Sequence, residues 1–439
     1  MREVEYARRK RGKRKGLILG LLLVCCVEGL ATAVAGMRRT PYADPCDTLQ
    51  EVRRKSQYMR KELLLQEIQR GNEDLRRELK KTPWPKLKYF STNGLTYSLP
   101  LRAESRGPSD RPAEARLEYL AGFFDGDGCV SFVWNLSGCR LVVWQSFDQA
   151  EVLMHFREAF GGSIGRKSEG RGLKKPMLQW LAFGDSARRA AELLAPHSIT
   201  KQKQLLLAAL WPETQSERED CKAELHALKK CDSAVAGSCS WSYFAGFFDA
   251  EGYIKQRSGG VSLQLRVSHK HPRVLLTIRD FLATTSTIDA TVGRLGKCVH
   301  QLIVSGLSNC KQILQDLLDS GLLCKSEQAQ LALSLSPENA AEVSAELAGL
   351  TGNQQFGKRL NAAGRERARK IKSERWQATR LRRQGLHTEI EAHQRIITKL
   401  KQEHELLKAR CENQQLLEYL CKLQSLHQTS WEGPLAPGM

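Results

Sequence analysis

Two stretches of the chain are nearly the same string. YLAGFFDGDGCV runs from Tyr119 to Val130, and YFAGFFDAEGYI runs from Tyr243 to Ile254. The last acid of each, Asp127 and Glu251, stands 124 residues from the other (251 minus 127). The residues after each string repeat a common pattern too. After the first, CVSFVWNL and RLVVWQSF alternate around Ser137-Gly138 as a hairpin, and AEVLMHFREAF has helical apolar spacing. GSIGRKS and MLQWLAF read as a second hairpin, and DSARRAAELLA as a helix with Asp185 or Ser186 as its N-cap. The second string replays the order. YIKQR and VSLQLRVS flank Ser258-Gly259-Gly260, PRVLLTIRDFLA is a helix, STIDATVG and CVHQLIVSG are strands, and LSNCKQILQDLLDSG closes as a helix. Even the endings match: SITKQKQLLL carries Lys201 and Gln204, and LLCKSEQAQLAL carries Lys325 and Gln328. A shared order with a shared ending means internal duplication. The fold class is therefore α+β, two pseudo-symmetric αββαββα repeats, with helical, partly disordered flanks.

Each string reads as a short helix stopped by a glycine, Gly128 or Gly252, able to take a left-handed conformation. Gly122 and Gly126 lie four apart on one face, as do Gly246 and Ala250. Small residues at that spacing let two helix backbones come close. Phe123, Phe124, Phe247 and Phe248 then turn into the core of their own repeat. If the two helices pack through the small faces, their C-termini meet and Asp127 arrives beside Glu251. Two carboxylates at helix C-termini repel each other and the dipole, unless a cation sits between them. Hard oxygen ligands suit Mg²⁺, which keeps some waters and takes its other ligands from substrate phosphates. The carbonyls of Gly126 and Ala250 are candidate additional ligands. Along the strands beyond the strings, alternation sends Ser131, Val133 and Asn135 to the outer face in the first repeat. In the second, Lys255, Arg257, Gln264 and Arg266 go outward, a set that suits the edges of bases in a major groove. The first repeat's outer face is poorer, because Val133 is apolar and Trp144 needs cover; Gln145 is its further candidate.

LAGFFDGDG and FAGFFDAEG resemble the two motifs of the LAGLIDADG homing endonucleases, in their single-chain, two-repeat form. The resemblance covers roughly residues 114–335, about half of the chain. It implies the saddle-shaped fold, a two-helix interface, a divalent metal (Mg²⁺ or another such as Mn²⁺) and cleavage of double-stranded DNA. By resemblance Asp127 and Glu251 are the catalytic, metal-binding acids, Asp125 and Asp249 are structural acids near the helix interface, and Lys201 and Lys325 stand near the scissile phosphates. Phosphodiester hydrolysis needs an activated water and neutralised charge, which a metal held by two acids supplies. No nucleophile–base arrangement of comparable support occurs elsewhere in the chain.

The remainder is unlike a minimal enzyme of that kind. Net charge is +20 with a pI near 9.5, which favours a polyanionic partner. Thirteen scattered cysteines without a CxxC pair argue against both a zinc ribbon and a disulfide framework. Residues 1–36 carry a basic start and the apolar run GLILGLLLVCCV, which fits a signal peptide or signal anchor better than a full span. That run points to a secretory-route membrane or a plastid, with the nucleus as the alternative, and allows membrane contact. Residues 37–112 read as a charged helix broken at Gly71 and a Pro/Gly linker. Residues 113–212 and 239–336 are the repeats, with 213–238 a polar connector between them. Residues 337–385 form a basic segment, and its part Gly357–Gln384 has 11 basic and 2 acidic residues. Residues 386–430 are helical, with Ile390, Ile397, Leu400 and Leu407 at the spacing of a coiled coil.

Three functions fit: a metal-dependent DNA endonuclease; a nucleic-acid binder without cleavage, maturase-like, with structured RNA as partner; and a tethered interaction protein carrying an old nuclease fold. The retained acids favour the first. The core is expected to be a monomer, and a working coiled coil would dimerise the full chain.

Overall fold

The computed structural model describes residues 45–104, 111–132, 138–256, 261–296, 298–350 and 360–429. The segment read as a signal peptide or anchor, residues 1–36, lies outside them, as do Val133, Asn135 and Arg257. The chain divides into two units, residues 1–63 and 64–439. The described part of the first is helical from Pro45 onward. Among the described residues no helix is long and apolar enough to cross a membrane.

The second unit holds both repeats. In the first, helix α2 (Glu114–Asp127) runs into β4 (Gly128–Phe132), which pairs with β5 (Cys139–Ser146). Helix α3 (Glu151–Phe160) comes next, then β6 (Gly162–Ser168), β7 (Met177–Phe183) and α4 (Asp185–Leu194). In the second, α7 (Trp241–Glu251) runs into β8 (Gly252–Gln256), then β9 (Leu263–His269), α8 (Pro272–Ser286), β10 (Thr291–Leu295), β11 (Val299–Ser305) and α9 (Leu307–Asp319). Both sheets are antiparallel with the same order. One is β10-β11-β9-β8; the other is β6-β7-β5-β4 with β3 (Leu101–Glu104) added at the β6 edge. The register agrees as well, since Gly128 faces Val143 and Gly252 faces Val267. The duplication read from the strings is thus a duplication of structure. The short helices α5 (Gln202–Ala209) and α10 (Ser326–Leu333) end the repeats, each entered through its lysine, Lys201 or Lys325.

Inside each sheet the alternate residues are buried: Val130, Leu141 and Val143 in one, Ile254, Leu265 and Val267 in the other. The motif-helix phenylalanines Phe123, Phe124, Phe247 and Phe248 are fully buried. Each such ring stabilises the fold by roughly 1.5–3 kcal/mol. Trp180 and Phe156 stack into the same core with ring centroids 4.9 Å apart.

The flanks differ from the sequence reading in three ways. Helix α1 (Pro45–Lys81) passes through Gly71 without a break. The segment read as a linker carries the hairpin β1 (Tyr89–Thr92) and β2 (Leu95–Ser98), then β3, and buries Trp84, Leu87 and Phe90. Gly94 turns β1 into β2 and Pro100 stands between β2 and β3, while Trp84, Leu87 and Phe90 join the core. The connector between the repeats holds helix α6 (Gln215–Lys230). Beyond the repeats, α11 (Ala340–Leu350) leads toward α12 (Ala362–Gln384), which turns at Gly385 (φ 76°) into the long α13 (His387–Gln428). Many apolar residues of α13 are buried within this chain, while Ile396 and Leu417 stay exposed. Ile390 and Ile397 are buried, and Leu416, Leu420, Leu423 and Leu426 belong to the main core. Leu406 is more buried than Leu407, so the buried seam departs from the heptad read in the sequence. Asn72 donates to the Ala409 carbonyl at 2.9 Å and Arg76 pairs with Glu412 at 2.7 Å, tying α1 to α13. The cysteines from Cys129 to Cys421 are free thiols.

Candidate active site

The two motif helices touch through the small faces. A Cβ added to Gly122 would stand 2.1 Å from the Tyr243 carbonyl oxygen, and one on Gly246 would stand 1.9 Å from that of Tyr119. On Gly126 it would meet the Ala250 methyl at 2.3 Å. Only glycine permits backbones to approach so closely. Gly128 and Gly252 serve differently from expectation. Their φ is −76° in both, extended rather than left-handed. A side chain there would strike the preceding turn, 2.6 Å from the Phe124 oxygen or 2.4 Å from the Phe248 oxygen. The N-cap of α4 is likewise Gly184 (φ 60°), not Asp185 or Ser186.

Beside this interface the inner acid of each motif clasps both repeats. The Asp125 carboxylate accepts from Ser198 Oγ, from the amides of Ile199 (2.6 Å), Thr200 (3.0 Å) and Lys201 (3.0 Å), and from Tyr243 Oη at 2.7 Å. Asp249 accepts from the amides of Leu323 (2.7 Å) and Lys325 (2.8 Å), and from Tyr119 Oη at 2.7 Å. Each helix therefore sends a tyrosine to the other's aspartate. Burial pushes both phenols well above the usual tyrosine value, with the neighbouring aspartate charge adding to the rise, so both remain donors. These tyrosines do not stand out in the sequence. Their signal is there, a Tyr six residues before the inner Asp in both strings.

The lysines are bound to the same helix ends. Lys201 Nζ donates to the carbonyls of Phe124 (2.7 Å), Asp125 (2.7 Å) and Gly126 (3.0 Å) at the end of the helix, the first of which also accepts from the Gly128 amide. Lys325 Nζ donates to the Asp249 carbonyl. Burial lowers the Lys201 pKa, and the charges of Asp125 and Asp127 oppose that shift. Each ammonium thus sits against the end of a motif helix rather than reaching out as a phosphate ligand. The Gly126 carbonyl, a candidate metal ligand from the sequence, is taken up by Lys201.

The outer acids stand at the surface where the helices end. Asp127 reaches solvent on one side while protein crowds the others; that partial desolvation raises its pKa, with Lys325 and Lys201 pulling it back. Glu251 is half-buried and pushed up to about 7, first by burial and then by the charge of Asp127. The two carboxylates therefore feel each other, as adjoining helix ends require. Gln145 Nε2 lies 3.5 Å from Asp127 Oδ2. The residue in its place in the second repeat is His269, buried against Phe247 and lowered to about 4 by burial and the Lys201 charge. His269 is neutral at physiological pH, and its Nδ1 accepts from the His271 amide at 3.2 Å.

Two oxygen donors that repel each other form a set a hard divalent ion would relieve. Among the described residues no group of three His, Cys, Asp or Glu side chains converges. Asp127 and Glu251 would hold the ion, with Ala250 the second motif's backbone candidate and the other ligands water or phosphate oxygen.

The strand residues read as DNA contacts are spread over two outer faces. In the first repeat Ser131 Oγ accepts from Arg140 Nε at 2.9 Å, and Trp144, 40 % exposed, lies under Lys167 Nζ at 4.5 Å. In the second, Lys255 faces Gln264 and Tyr253 faces Arg266 across β8 and β9. Gln264 is buried, donating to Ser305 Oγ at 2.9 Å and accepting from Arg266 Nε at 2.8 Å, so it is not a free reader of bases.

No family model matches the chain, and no curated protein matches it. Among solved structures it is similar to the meganuclease I-SmaMI bound to uncleavable DNA, at 15 % identity and TM-score 0.41, over 54 % of this chain and 99 % of that one. It is similar also to the LAGLIDADG meganuclease I-AabMI bound to uncleaved DNA, at 14 % identity and TM-score 0.40, over 54 % and 99 % of the two chains. I-SmaMI bound to cleaved DNA gives 14 % and 0.40, over 56 % and 97 %.

Proposed function

We propose that the protein is a metal-dependent endonuclease that hydrolyses phosphodiester bonds at a specific site in double-stranded DNA. The observation that carries this reading is the close meeting of the duplicated helices at Gly126 and Ala250, which brings their last acids, Asp127 and Glu251, to the joined ends. When bound, the divalent ion supplies an activated water and neutralises charge on the phosphate. The chain's own residues do the remaining work. Asp127 and Glu251 are the residues that would hold the ion. Lys201 and Lys325 lock the helix ends by their carbonyls, so the acids are held in place, and they put positive charge beneath the phosphate site. The Asp125–Tyr243 and Asp249–Tyr119 bonds hold the two helices in register. Lys255 and Arg266 on one face and Arg140 and Lys167 on the other follow the DNA backbone.

The test is cleavage of a randomised double-stranded DNA library by the full-length protein in Mg²⁺, beside Asp127→Asn and Glu251→Gln. Enriched cut sites for the parent, lost in either variant, are expected. A folded parent that binds nucleic acid in a salt-sensitive way yet cuts nothing would replace this reading with the maturase-like one.

A further inference from the structure

Helix α12 has two unlike faces. Ile371 and Ala378 are buried and face α13, and Glu374 Oε2 meets His393 Nδ1 at 2.7 Å on the same side. At 100° per residue, Arg369, Lys372, Trp376, Arg380 and Arg383 fall within an arc of about 80° on the opposite side. All five are exposed, and Trp376 is 64 % exposed, more than any other described tryptophan. The helix holds nine basic and two acidic residues. Both acids are engaged, Glu374 with His393 and Glu366 with Arg369 at 3.2 Å. Among the described residues no carboxylate pairs with Lys370, Lys372, Arg375, Arg380, Arg382 or Arg383. Arg380 lies 5.9 Å from the Trp376 ring centre, and the ring stays largely open to solvent.

A solvated helix has no use for a bare indole among unpaired cations. A basic stripe alone would fit any polyanion, but the indole narrows the partner. A duplex keeps its bases stacked inside, whereas an unpaired strand offers a base to the ring and phosphates to the flanking cations. Unpaired bases are the ordinary recognition element of RNA. From Arg369 to Arg383 the stripe is about 21 Å long at 1.5 Å per residue, enough for a few nucleotides. We propose that this face of α12 binds unpaired RNA, with a base on Trp376 and backbone phosphates on Lys372, Arg380 and Arg383. The site is separate from Asp127 and Glu251 and does not depend on cleavage.

The experiment is fluorescence anisotropy of a labelled 15-nucleotide oligouridylate with the full-length protein, in EDTA, over a range of salt. Trp376→Ala is expected to weaken binding about tenfold, within the range for loss of one base stack, and Trp376→Phe to restore most of it. Arg380→Gln with Arg383→Gln is expected to flatten the slope of log affinity against log salt by about 1.4, since two phosphate contacts are lost. Asp127→Asn should bind the RNA as the parent does, so failure of the nuclease reading leaves this one standing. Equal binding by Trp376→Ala and the parent would overturn the proposal. So would competition by a 15-base-pair DNA duplex, or by oligothymidylate, at least as effective as that of unlabelled RNA.

Discussion

The two repeats agree closely at their shared helix interface and part company on their sheets. At the interface Gly122 meets the Tyr243 carbonyl and Gly246 that of Tyr119, and each tyrosine reaches the other helix's aspartate. On the outer faces one repeat shows Trp144, Phe183 and Lys167, and the other Tyr253, Lys255 and Arg266. The difference comes from the constraint on each region. An interface on a pseudo-two-fold axis is met from both sides by the same geometry, so a change on one helix needs a matching change on the other. An outer strand face has no such partner and can drift. The drift has also reached the edges of the clasp: Asp125 has Ser198 and Thr200 around it, whereas the corresponding positions in the second repeat are Leu322 and Cys324.

The strongest way to break the symmetry is to crowd its axis. Gly122→Val and Gly246→Val each place carbon against backbone that cannot move aside. Each should cost about 3 kcal/mol or more, or give no folded protein. The two should be nearly equal, as read by urea unfolding or by soluble yield. Gly165→Ala is the control, because a Cβ there meets nothing within 4 Å, and it should stay within about 0.5 kcal/mol of the parent. A mild Gly246→Val beside a severe Gly122→Val would mean the helices do not meet on a shared axis.

The inner acids sharpen the comparison. Asp125→Asn leaves three buried amides and two hydroxyls facing a weaker acceptor, and should cost about 3–4 kcal/mol. Asp249→Asn should cost about 1 kcal/mol less, because its carboxylate lacks the serine hydroxyl and one of the amides that Asp125 accepts. Tyr243→Phe and Tyr119→Phe each remove one hydrogen bond to a carboxylate and should cost about 1.5–2 kcal/mol. Equal losses for the two Asn variants would show that the additional donors to Asp125 contribute nothing.

These same elements show how far a sequence discloses its fold. The duplication, the glycine faces and the inward phenylalanines are legible because a short-range pattern carries them: spacing of four on a helix, alternation on a strand. The tyrosine–aspartate exchange is not, since it joins residues 118 and 130 positions apart and exists only once the two helices are side by side. Glycine at a helix end is usually left-handed, and Gly128 is not. Here the chain passes directly into β4, and the helix's own last turn is the element that excludes a side chain. The linker reading of residues 82–112 gives its prolines more weight than Trp84, Leu87 and Phe90, whose burial depends on a sheet edge far away in sequence. Gly71 reads as a break by composition, yet α1 runs through it, packed along α13 near Asn413.

The smallest expected effect concerns the outer acids, where the repeats differ by one methylene. Without metal, folding raises the Glu251 pKa from 4.5 to about 7 and raises that of Asp127 as well. The folded protein therefore holds these protons more tightly than the unfolded chain does. Their stabilising contribution is complete below about pH 4.5 for Glu251 and is lost as pH rises through about 7. In EDTA the melting temperature should accordingly drift downward over that window. Glu251→Gln should remove most of the drift. Asp127→Asn should move it to lower pH, because the neighbouring charge is the second cause of the Glu251 shift. A divalent ion needs both carboxylates ionised, so its stabilising effect should grow with pH and level off above about 7. On the proposed function, the ionisation that weakens the metal-free fold is the one that would prepare it for the ion. A melting temperature flat with pH in EDTA, unchanged by either substitution, would mean that the two helix ends do not bring Asp127 and Glu251 together.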